Sequence, residues 1–102
     1  MNKFQRIERV VRLKLPNVPG TFGKVADTVG LNEGNLGDIK LVKMGKKFIT
    51  RDITVYSKSP GHFEVIKKEL ENLSGLKILK CFDETYRMHE GGLIEMKSKV
   101  NI

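Results

Sequence analysis

From Arg9 to Leu15 the chain alternates, with Val11, Leu13 and Leu15 on one side and Arg12 and Lys14 on the other. A period of two predicts a half-buried strand, and Pro16 stops it. After the turn Asn17-Val18-Pro19-Gly20 the period changes. Phe22, Val25, Ala26 and Val29 fall at i, i+3, i+4 and i+7, the stripe of an amphipathic helix, with Thr21 as its expected N-cap and Gly34 as its expected stop. A second extended segment is predicted from Asn35 to Met44, with Ile39 and Leu41 on one face. Gly45-Lys46-Lys47 reads as a hairpin turn into a third strand, Phe48 to Tyr56, where Ile49, Ile53 and Val55 share a face around Arg51. Ser59-Pro60 supplies an N-cap and a first-turn proline for a second helix, whose stripe is Phe63, Ile66, Leu70 and Leu73 and which Ser74-Gly75 closes.

The fourth strand runs from about Leu76 into Tyr86, and two registers are open for it, one through Ile78 and Phe82, the other through Leu79 and Cys81. The order βαββαβ is two similar strand-helix-strand halves. Right-handed crossovers fold such halves into one four-stranded antiparallel sheet with both helices on one face, the ferredoxin-like α+β arrangement. Residues 1–88 form one domain in this reading, and residues 89–102, with Gly91-Gly92 near the start, a connector or added strand.

The 102 residues, 39% of them hydrophobic, suffice for one modest core. No apolar run reaches membrane-spanning length, and the first residues lack the apolar stretch of a secretory signal, so a soluble, unexported, cytoplasmic chain is expected. A single cysteine, Cys81, excludes an internal disulfide, and His62 and His89 stand too far apart, with no other ligand spaced nearby, for a structural zinc motif. The net charge of +7 sits entirely in residues 1–51, which hold eleven Lys and Arg against four Asp and Glu; residues 52–102 balance. Clustered cations of this kind either keep a small domain soluble or meet an anionic partner such as nucleic acid.

Catalytic sets are absent. The ferredoxin-like acylphosphatases hold phosphate with an arginine in the first strand-to-helix loop, and residues 16–21 contain none. Cys81 lies mid-strand, no Ser/His/Asp set can be assembled, and Asp83 and Glu84, being adjacent on a strand, point to opposite faces. Gly20-Thr21-Phe22-Gly23-Lys24 lacks the spacing of a phosphate loop, and its GxxG follows a strand, unlike the helix-joining GxxG of KH domains. An RNA-recognition motif shares the element order but needs base-stacking aromatics on its third strand. Here that strand offers Phe48 and, on the same side, the acidic Asp52. No catalytic residue, metal ligand or cofactor is expected in this chain.

The loop before the first helix remains. Asn17-Val18-Pro19-Gly20 sets an amide side chain and a tight turn beside the free N–H groups of a helix start, which favour an anion; it serves equally as a plain helix-opening turn in which Asn17 bonds local backbone.

Leu13-x-Leu15-Pro16-Asn17-x-Pro19-Gly20-x-Phe22, followed by Gly34-Asn35-Leu36-Gly37-x-Ile39, resembles an ACT domain over about residues 8–88. The resemblance implies a βαββαβ regulatory domain that pairs into dimers and binds amino acids or other small effectors at the interface. It implies an effector loop of Asn17, Val18, Pro19, Gly20, Thr21 and Phe22, faced by Asn35, Leu36, Gly37 and Asp38, usually of the neighbouring subunit. Arg51-Asp52-Ile53-Thr54-Val55 and His89-x-Gly91-Gly92-x-Ile94-Glu95 are similar to the ACT domain preceding the catalytic part of certain bacterial NAD-dependent malic enzymes (malate oxidoreductases). There the tail enters the catalytic domain through a Lys-x-Pro step; here Asn101 follows Lys99-Val100, which leaves fragment and free-standing subunit both open. The implied partners are a second copy, a small carboxylate or amino-acid effector, and a malic-enzyme catalytic domain holding the malate, metal and nicotinamide sites. The alternative is a nucleic-acid-binding ferredoxin-like domain.

Overall fold

The computed structural model describes residues 6–83. Its elements are β1 (Ile7–Pro16), α1 (Thr21–Leu31), β2 (Asn35–Met44), β3 (Phe48–Ser57), α2 (Pro60–Glu71) and β4 (Lys77–Asp83). The strands form one antiparallel sheet in the order β2-β3-β1-β4, the ferredoxin-like arrangement the periodicities predict. The expected connector, residues 89–102, lies outside the described residues.

Central strands β1 and β3 place Val11, Leu13, Leu15, Ile53 and Val55 on the helix side, where they meet Val25 and Val29 of α1 and Phe63, Ile66 and Leu70 of α2. Burying these side chains is worth about 1.5–3 kcal/mol each relative to exposure and holds the two layers together. The second helix starts as expected: the Ser59 hydroxyl accepts the His62 N–H at 3.0 Å, and Pro60 occupies the first helical position. His62 then bolts the helices together. Its Nδ1 accepts the Lys58 N–H at 2.9 Å, which requires the Nε2–H tautomer, and Nε2 donates to the Asn32 carbonyl at 2.6 Å.

Three local expectations need correction. Gly20, not Thr21, caps α1, because the chain enters the helix at φ +87°, a left-handed conformation that glycine adopts without a side-chain penalty. Thr21 is the first helical residue. Gly34 is not the left-handed stop of α1 either: that conformation falls on Glu33 (φ 65°), whose N–H bonds the Gly30 carbonyl while Gly34 N–H bonds that of Val29, both at 2.9 Å. Gly34 is small for packing, since a Cβ there would stand 2.7 Å from Ile66 Cδ1. In β4 neither single register holds. A bulge opposite Arg12 and Leu13 pairs Ile78 with Leu13 and Cys81 with Val11, so Ile78 and Cys81 both face the helices and Leu79 takes up the extra residue.

Among the described residues no helix covers the sheet's other face. By register it presents Arg12, Lys14, Lys40, Lys43, Lys77 and Lys80, with Glu8 and Asp52 as acids. Asp52 is held by Arg12 in a two-pronged pair at 2.8 and 3.0 Å. This face is therefore cationic, with four of its six cations drawn from residues 1–51 and two, Lys77 and Lys80, from the charge-balanced second half.

Candidate functional site

Strand β1 ends at Pro16, and the loop that follows is tied to its surroundings at each end. The Asn17 N–H donates to the Lys47 carbonyl at 2.9 Å, and its side-chain Nδ2 donates to the Gly45 carbonyl at 3.0 Å. Asn17 therefore fastens the loop to the β2–β3 hairpin. Val18 N–H returns to the Pro16 carbonyl, and the Thr21 hydroxyl and N–H both donate to the Val18 carbonyl, at 2.7 and 3.2 Å. The Gly20 cap offers no side chain to α1. Among the described residues no acceptor meets the N–H groups of Phe22 and Gly23, so these two, and not Thr21, are the free donors of the first turn.

A cavity of about 260 Å³ opens beside this loop. All six loop residues, Asn17 to Phe22, line it together with Leu15, Pro16, Ile49 and Arg51. The loop was evident in the sequence; its far wall was not. Ile49 and Arg51 come from β3, which the register sets beside β1: Leu15 opposes Ile49 and Leu13 opposes Arg51. The guanidinium of Arg51 lies over the Phe22 ring, 5.7 Å from its centroid, so that strand, loop and helix share one contact. Arg51 carried a signal in the sequence, a charge inside the apolar stripe Ile49, Ile53, Val55.

Asn35, Leu36, Gly37 and Asp38 are not brought to this cavity within one chain. They open β2, where Asn35 pairs with Tyr56 and Leu36 with Val55, whereas Pro16 pairs with Phe48 at the other end of β3. Phe48 to Tyr56 spans about 26 Å at the rise of an extended strand. Gly37 lies beneath Tyr56 on the helix-free face: a Cβ there would stand 2.7 Å from the ring's Cε2. Its smallness accommodates that ring.

Strand β2 is an edge, and beyond Gly37 every residue on it is exposed. Ile39 (45% exposed), Leu41 (53%) and Met44 (61%) share the helix-facing side, with Val42 at a second bulge. Among the described residues no strand pairs with the outer side of β2, and an edge flanked by apolar side chains is a surface to which another strand can add.

Two titrating groups outside the cavity are shifted. The Lys58 ammonium, 2.8 Å from Glu33, holds that carboxyl below its usual range through hydrogen bond and charge. Burial pushes the Cys81 thiol up. Among the described residues no three His, Cys, Asp or Glu side chains gather as a metal site, and no helix is long and apolar enough to cross a membrane.

The chain matches no protein-family model. It is 35% identical over 95 residues, 92% of its length, to NAD-dependent malic enzyme 1 of Bacillus subtilis (strain 168). It is 30% identical over 92 residues, 90% of its length, to the NAD-dependent malic enzyme of Geobacillus stearothermophilus. The chain is homologous to a region of bacterial NAD-dependent malic enzymes. It spans about a fifth of the length of these curated relatives, 22% and 19% respectively. Similarity to malic enzymes at nine-tenths of this chain includes the described cavity and the strands that wall it, while about four-fifths of each relative has no counterpart here.

Proposed function

We propose that this chain is a non-catalytic, ACT-type regulatory module of a malic enzyme, which senses an amino acid or other carboxylate metabolite at a dimer interface. The observation that carries the reading is the cavity. It is bounded by the whole of the Asn17–Phe22 loop and by β3. Similarity to a region of malic enzymes supports a malic-enzyme-type catalytic domain as the partner.

Edge strand β2 supports the dimer. A second copy added antiparallel along β2 about a two-fold axis runs the beginning of one β2 beside the end of the other. Asn35–Asp38 of that copy then approach Met44 and the Gly45–Lys47 hairpin, to which Asn17 is bonded. This pairing brings the loop and its facing wall together across the interface. An effector binding both copies would favour one arrangement of the pair, and a coupling of ~1–3 kcal/mol to the catalytic domain is the usual size of such a shift.

The test combines light scattering with a thermal-shift screen of amino acids and central carboxylates. The expected result is a homodimer at tens of micromolar whose melting temperature rises with at least one of them. A stable monomer that no member of the screen stabilises refutes the reading. The cations on the helix-free face favour nucleic acid as a second reading. The middle of that face, however, holds the Arg12–Asp52 pair and Thr54 where a stacking platform needs aromatics. Tight, sequence-selective RNA binding in a filter assay would put that second reading first.

A further inference from the structure

The two neighbouring arginines of the sheet are treated in opposite ways. Arg12, on the helix-free face, is neutralised by Asp52 with two bonds. Arg51 occupies a helix-facing position on a central strand, with Leu13 opposite it on β1, Leu41 opposite it on β2, and Ile49 and Ile53 two residues away on the same face. An arginine there keeps its charge, because a guanidinium does not deprotonate in proteins. Yet among the described residues no carboxylate or carbonyl accepts from it, and the contact that orients it is the Phe22 ring. The side chain is partly buried and lines the 260 Å³ cavity.

We propose that Arg51 is the anion anchor of this cavity, and that the ligand is a small molecule bearing a carboxylate or a similar two-oxygen anion. The inference rests on the reading of the Asn17–Phe22 loop as an effector site and adds the residue that reads the ligand's charge. The Phe22 ring, 5.7 Å from the guanidinium carbon, keeps the head group at the cavity, and a guanidinium fork can meet two oxygens at once. Leu15, Val18 and Ile49 give the rest of the cavity an apolar wall suited to a short carbon chain. A cavity of about 260 Å³ has room for a metabolite of a few carbons.

The test uses the full chain labelled with 15N and titrated with succinate, L-glutamate or inorganic phosphate, and with succinamide as a neutral counterpart of succinate. Expected are shifts in the amide signals of Asn17 to Phe22 on adding an anion, and at least tenfold weaker binding of succinamide than of succinate. R51Q should weaken anion binding about ten- to a hundredfold, and R51K, which keeps the charge but not the fork, should fall between R51Q and wild type. Succinamide binding wild type as tightly as succinate overturns the inference without any variant, and so does R51Q binding succinate unchanged. In both cases shifts that remain on the loop leave the effector-site reading standing. Anion-induced shifts confined to other parts of the chain overturn both. If no anion perturbs wild type at millimolar concentration, the anchor role is refuted, and the thermal-shift screen decides separately whether the cavity takes an uncharged ligand.

Discussion

Gly34→Ala should destabilise the domain although it adds one methyl group at a position with an ordinary backbone angle. The added Cβ would stand 2.7 Å from Ile66 Cδ1, 3.1 Å from Val29 Cγ1 and 3.3 Å from the Tyr56 carbonyl oxygen. Ile66 is fully buried, so its methyl has no open space to move into. Overpacking of this kind costs about 1–3 kcal/mol. Restricting the unfolded chain returns about 0.4–1 kcal/mol, which leaves a net loss of roughly 1–2 kcal/mol. For a domain of this size each kcal/mol lowers the melting temperature by about 4–8 °C. Gly30→Ala, in α1 with nothing within 4 Å of the new Cβ, is the control and should gain about 0.5–1 kcal/mol. The decisive variant is Ile66→Val, which removes the very Cδ1 that the new methyl would strike. Alone it costs about 0.5–1.5 kcal/mol, and combined with Gly34→Ala it should recover about 1 kcal/mol relative to the sum of the two. Urea unfolding of the four chains measures the cycle. Additivity within about 0.3–0.5 kcal/mol, or a Gly34→Ala chain as stable as Gly30→Ala, would refute the packing argument.

Two further predictions concern the loop and the thiol. Asn17→Ala removes the exposed bond to the Gly45 carbonyl, so urea unfolding should register a loss of about 0.5–1.5 kcal/mol; an unchanged midpoint would mean that the tie to the hairpin contributes nothing. Cys81 should be alkylated by iodoacetamide more slowly than a free cysteine at pH 7.5, with a rate-versus-pH midpoint above the ordinary thiol value, because although the residue is exposed on the sheet its sulfur side is shielded toward α2. The unfolded chain then loses that proton first as pH rises, so this contribution to stability is present below the ordinary thiol range and is lost above it; a midpoint at or below the free-cysteine value would contradict the assignment.

Most of the architecture was legible because it depends on neighbours along the chain. The alternation through Val11, Leu13 and Leu15, the span of β2, the turn Gly45-Lys46-Lys47 and the Ser59-Pro60 start of α2 are local signals, and each lies where the periodicity puts it. The Asn17–Phe22 loop was legible as a candidate site for the same reason. What the sequence could not contain was which residues meet across strands. Only the β1–β3 register carries Ile49 and Arg51 to that loop and sets Arg12 opposite the acid that neutralises it, and only the β2–β3 register sends Asn35–Asp38 to the far end of the sheet. Only the bulge in β4 lets Ile78 and Cys81 face the helices together. Gly20 and Gly34 divide along the same line. A turn glycine was evident from composition, but whether a glycine serves its backbone angle or the space another element needs is decided by what packs against it, and Ile66 lies more than thirty residues away in the chain.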